Sequence, residues 1–92
     1  MTELTDIKTL GTTTFGRCGQ GTQRLFRITP DIPAIQALEH ASNLQDCANK
    51  LAAQLAMGEG CAQTAWSTFY LGEMAKAIID DMTATLSRFE NH

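Results

Sequence analysis

The sequence predicts a small α+β domain in which an N-terminal β-hairpin packs on an antiparallel hairpin of two helices. Three observations carry that expectation. From Thr29 onward, apolar residues recur at spacings of three and four, the period of one helix face. A glycine-bearing break, "MGEGC" (Met57–Cys61), divides that helical region in two. Before Thr29 the period falls to two, in a stretch that favours strands.

The elements follow in chain order. Residues 12–28 read as the β-hairpin, with strands Thr12–Cys18 and Thr22–Ile28. In "TQRLFRI", Arg24, Phe26 and Ile28 fall on one side and Gln23, Leu25 and Arg27 on the other. "GQG" (Gly19–Gly21) supplies the turn. Residues 1–11 stay open between a further edge strand and a tail. The first helix is expected over 31–57. Asp31 is placed to cap it, and Pro33 suits a first turn, where its missing N–H is not needed. Its seam is Ala37, Ala41, Leu44, Ala48, Leu51 and Leu55, which Leu38 and Ala52 widen. Asp46 and Lys50 form an i,i+4 pair in the favourable order. Gly58 or Gly60 closes this helix. The second helix is expected over 61–89, with a stripe of Leu71, Met74, Ala75, Ile78, Met82, Leu86 (or Thr85) and Phe89. So short a linker forces the two helices to fold back on each other.

A chain of 92 residues forms one domain, 1–92. Its single core contributes about 3–5 kcal/mol net, so added support from a partner or from self-association is expected. The three cysteines, Cys18, Cys47 and Cys61, are odd in number and widely spaced, which reads as free thiols in a reducing cytoplasm. There is no CxxC, and His40 and His92 are not at metal-ligand spacing, so neither metal nor cofactor is expected. The N-terminus lacks a basic region followed by an apolar run, and no apolar stretch approaches the roughly 20 residues of a membrane span. A cytoplasmic protein without a membrane contact is the expectation.

Catalytic constellations are thin. A nucleophile needs an imidazole held in a sheltered site, but His40 falls on the polar face of the first helix and His92 is the last residue, so neither is given a pocket. Asp80 and Asp81 are adjacent, so they point to different sides of a helix and read as surface charge. The glycines of "GRCGQG" precede a strand and lack a following GK[ST], so they read as turn residues and not as a phosphate loop. No catalytic residue is assigned, and no enzyme is expected.

Charge is the stronger signal. Residues 1–28 carry Lys8, Arg17, Arg24 and Arg27 against Glu3 and Asp6, a net +2. The remainder carries a net −5, which gives the whole-chain −3. Arg17, Gln20, Gln23, Arg24 and Arg27 are therefore the candidate partner-binding residues. Guanidinium forks suit acidic protein grooves and nucleic-acid backbones. The alternative is that these arginines pair with acids of the chain's own helices, or simply keep an edge strand soluble. The acidic balance of the whole opposes free nucleic acid. Trp66, Phe69 and Tyr70 near the start of the second helix read either as core under the hairpin or as anchors for a protein partner.

From Leu25 onward the chain resembles a family of short bacterial proteins known as a domain of unknown function. The residues that carry this are "LFRI", Pro30, "IPAIQALEHAS" (Ile32–Ser42), Leu44 and "YLGEMAKAIIDD" (Tyr70–Asp81), across the C-terminal two thirds. The family implies no activity. In size and style alone, the chain also resembles phage-encoded inhibitor proteins such as anti-CRISPRs. The expected function is that of a non-enzymatic binding protein. It would act by steric occupation of a protein or protein–nucleic-acid assembly, as phage or mobile-element inhibitors do. The alternative is a homodimeric helical-hairpin interaction module.

Overall fold

The computed structural model describes residues 6–90, and side chains as far as Arg88. Strand β1 spans Thr14–Arg17 and β2 spans Arg24–Arg27; helix α1 spans Ala34–Ala56 and α2 spans Ala62–Glu90. The strands pair antiparallel, with Phe15 opposite Phe26 and Arg17 opposite Arg24. The helices lie against each other, and β1 is the strand that rests on α2. This is the α+β arrangement of β-hairpin and helical hairpin that the two periodicities predict.

The seam of α1 packs as its spacing requires. Ala37, Ala41 and Ala48 are buried, and Leu44, Leu51 and Leu55 are half-buried. Small side chains let the helix backbones approach closely. On α2, Ala75, Met82 and Thr85 are buried, while Leu71 and Ile78 are half-buried. The densest part of the core joins Ala34 and Ala37 to Met82, with Ile7, Ile32 and Ile78 packed around them. Leu38 and Ala52 do not widen the buried seam; both are exposed, as are Met74 and Leu86 on α2. Phe89 lies outside the described side chains.

The two ends of α1 are closed differently. At its C-terminus Gly58 adopts φ +76°, its N–H bonds the Leu55 carbonyl at 3.1 Å, and the Glu59 N–H bonds the Gln54 carbonyl at 2.8 Å. That pair of bonds is a Schellman closure, and it needs a residue at ease in the left-handed region. At the N-terminus Asp31 does not cap. It sits at φ 67°, and no side chain bonds the first turn. The Ala34 N–H instead reaches the Ile7 carbonyl at 2.9 Å.

That bond belongs to a strap over residues 7–13. The Thr9 N–H donates to the Ile32 carbonyl and the Asp31 N–H to the Thr9 carbonyl, at 2.8 and 3.0 Å. The buried Thr9 hydroxyl donates to the Thr29 carbonyl at 2.7 Å and accepts from the Ile32 N–H at 2.9 Å. Residues 7–11 are thus neither a tail nor a strand of the sheet; a single bridge, Lys8 with Pro33, relates them to the start of α1. The expectation for residues 1–5 lies outside the described residues.

Candidate functional site: an aromatic and basic face

Two groups of aromatic rings stand at the junction of the β-hairpin and α2. In the hairpin, Phe15 and Phe26 stack across the strands at 5.3 Å between ring centroids. Gly16 makes that stack possible. It takes φ +77°, and a Cβ there would meet the Phe26 ring at 2.8 Å. The glycine read as part of a turn therefore works inside β1, while Gly19, at φ 62°, lies in the loop itself. The loop is closed by the Cys18 N–H bonding the Gln23 carbonyl at 3.0 Å.

On α2, Trp66, Phe69 and Tyr70 form one cluster. The indole stacks on Tyr70 at 5.9 Å and meets Phe69 edge-on at 6.1 Å. Spacings of three and four place these rings together on the helix surface. They are not core: Trp66 is 60 % exposed, Phe69 54 % and Tyr70 52 %. The hairpin rests on α2 beyond them, near the buried Ala77, and leaves the rings open. A cleft of roughly 390 Å³ joins the two groups, walled by Phe15, Leu25 and Phe26 on one side and by Tyr70 and Met74 on the other. Leu25, 69 % exposed at its edge, is a member of this surface that strand alternation alone does not single out.

One of the arginines reaches the cleft and a second lies in a neighbouring depression. Arg17 lines the cleft together with Glu73, and Arg24 shares the shallow depression with Glu73, Lys76 and Asp80. None of Arg17, Arg24 or Arg27 makes an ion pair among the described residues, where the salt bridges are Lys50–Asp46 and Lys76–Asp80. Arg17 donates to the Gln20 carbonyl and Arg24 to the Gln23 carbonyl, each at 3.2 Å, bonds that brace the loop without neutralising a charge. Arg17, Gln20, Gln23, Arg24 and Arg27 are all exposed. Arg17 and Arg24 thus lie near acids of α2 without closing an ion pair to them.

One acid departs from its expected place. Asp80 is exposed and pairs with Lys76 at 2.7 Å, but Asp81 is completely buried, so reading both as surface charge is corrected here. Its Oδ2 accepts the N–H groups of Leu10 and Gly11 at 2.7 and 2.9 Å, and its Oδ1 those of Thr12 and Thr13 at 3.0 Å each. Burial pushes this carboxyl up. The bonds from Gly11, Thr13 and Leu10 outweigh that and hold it below its ordinary value. Gly11 is indispensable to the geometry: it takes φ +81°, and a Cβ would come within 2.5 Å of Pro30. Asp81 thereby ties the strap, and the hairpin that follows it, to α2. Its four bonds are structural, fixing where the strap leads into the hairpin.

His40 is exposed on α1, and the three cysteines are exposed free thiols. No described helix is long and apolar enough to cross a membrane. No curated protein and no solved structure matches the chain. A family model does match, and its span of residues 9–85 takes in the strap and the β-hairpin as well as the helices. That is wider than the C-terminal two thirds on which the resemblance rests. Covered over most of its length, the chain belongs to the family described as "Protein of unknown function (DUF3077)".

Proposed function

We propose that this protein is a non-catalytic binding module that docks its aromatic and basic face onto an acidic surface of a larger protein or protein–nucleic-acid assembly. It acts there by occupying the surface; a phage-encoded inhibitor of the anti-CRISPR type is one case of that class. The observation that carries the reading is the solvent exposure of Trp66, Phe69 and Tyr70 beside arginines that make no ion pair among the described residues. Tryptophan, tyrosine and arginine dominate the energetic centres of protein interfaces, because they bury large areas and still make directed polar contacts. The cleft between hairpin and helix suits an apolar side chain, and Arg17 at its edge suits a neighbouring carboxylate.

A non-catalytic role is supported by the state of the titratable groups. Asp81, the fully buried one, has both oxygens bonded to backbone N–H groups and is turned away from the cleft into the strap. His40 lies on the solvated side of α1.

The test is capture of a partner from bacterial lysate by immobilised protein. Wild type is compared with Arg24→Glu/Arg27→Glu and with Trp66→Ala/Tyr70→Ala. Both double variants are expected to lose the captured species while keeping the wild-type circular dichroism. Recovery of the same species by both would overturn the proposal.

A further inference from the structure

We infer that a second copy of this chain covers the groove between α1 and α2, on the side of the helical pair that the β-hairpin leaves open. Helix α1 carries two seams, not one. The first, Ala37 to Leu55, packs on α2. The second runs one residue behind it through Leu38, Ser42, Gln45, Asn49, Ala52 and Ala56, with the same alternation of four and three. All six residues are exposed. A helix with one neighbour needs one such seam; a helix in a four-helix bundle touches two neighbours and needs two. On α2 the matching line is Gly72, Ile79 and Leu86, seven residues apart, and Ile79 lines the groove with Leu38, Ser42, Gln45 and Asn49. Leu38 is 43 % exposed, Ile79 47 % and Leu86 44 %. A Cβ on Gly72 would meet nothing within 4 Å, so the backbone there is open to close approach.

Charge identifies the occupant. Across a twofold axis a surface meets itself, so any net charge on it meets the same charge. The basic face fails that condition. The second seam of α1 satisfies it, because it carries no charged residue at all. Asp46 also lines the groove, and Lys50 pairs with it at 2.9 Å and offsets its charge. Within the seam the Gln45 side-chain amide donates to the Asn49 Oδ1 at 2.9 Å. With Ser42, this pair makes the middle of the seam polar between Leu38 at one end and Ala52 and Ala56 at the other, and buried amides of this kind fix register between helices.

The dimensions agree. The molecule is 51 × 29 × 18 Å, with a radius of gyration of 15.4 Å. A compact chain of this length has a radius of about 12 Å, so the single copy is an open plate. With 23 residues in α1, a two-helix face is roughly 35 Å long and about 20 Å wide. That offers about 700 Å², close to the roughly 800 Å² per partner of a stable interface. The pairing is independent of the proposed function, because the two faces share no residue.

Light scattering coupled to size exclusion, over a dilution series, tests the inference. Wild type is expected at twice the 10.0 kDa chain mass. Ile79→Glu, and separately Ser42→Glu/Asn49→Glu, are expected at the mass of one chain with unchanged circular dichroism; Trp66→Ala is expected to stay paired. The serine and asparagine are exposed polar residues, so their replacement does not disturb the core and a fold-intact readout is secured. Wild type at the mass of one chain throughout overturns the inference. So does a pair that survives both sets of glutamates.

Discussion

A carboxylate removed from water must find hydrogen-bond donors, and Asp81 finds four in the consecutive backbone N–H groups of residues 10–13. Successive N–H groups curled around an anion form a nest, here built by the chain for its own side chain. Hydrogen bonds to a charged group contribute about 1.5–3 kcal/mol each. Against a net stability of a few kcal/mol, this one residue is decisive. Asp81→Asn replaces an acceptor by an amide NH₂ facing N–H groups, and it is expected to cost about 3 kcal/mol in urea denaturation. The pH dependence has a definite sign. The folded-state pKa is lowered, so the stabilisation is present above the ordinary carboxylate range, about 3.9, and is lost as pH falls through the folded value. The gap between wild type and Asp81→Asn therefore closes in acid. A gap that held constant through acid would contradict the nest. None of this was legible beforehand: "IDDM" shows two equal acids, and only the fold decides that one faces Lys76 and the other faces the strap. Gly11 and Thr9 escape notice for the same reason. Their partners lie about 70 and 20 residues away in sequence.

At the level of elements, what periodicity could reveal was read correctly. Alanine and leucine at fours and threes put α1 on α2, with the seam's alanines buried and its leucines half-buried. What it could not reveal is which apolar residues the neighbours fail to reach. Leu38, Met74 and Leu86 match the pattern and still face solvent, because α1 packs on α2 alone and one helix with a two-stranded hairpin cannot surround α2. The start of α1 was misread for a related reason. Asp31 has the composition of a cap, but the strap delivers the Ile7 carbonyl to the first free N–H, and Asp31 is turned away at positive φ. The contrast between the two sides of α2 is measurable. Met82 is 2 % exposed, so Met82→Ala is expected to cost about 2–5 kcal/mol. Trp66→Ala, though it removes the largest side chain, is expected to change stability by no more than about 0.5 kcal/mol. Equal losses in thermal or urea unfolding would place Trp66 in the core after all.

The whole molecule is polarised. A basic, aromatic end is held in place by a strap and one buried acid, and an acidic helical plate carries a second, uncharged seam. The charge asymmetry between residues 1–28 and the rest of the chain was visible in the sequence, but the direction of the arginines was not, since acids on α1 and α2 were equally available to them. They are exposed and make no ion pair among the described residues, and the proposed docking to an external surface rests on that. The most direct test of that claim uses Trp66, the chain's one tryptophan. Its iodide quenching is followed in purified protein across dilution, and then with the captured partner added. The account predicts an indole open to quencher at every dilution, including those at which copies pair, and shielded once the partner binds. An indole already shielded in the purified protein would contradict it.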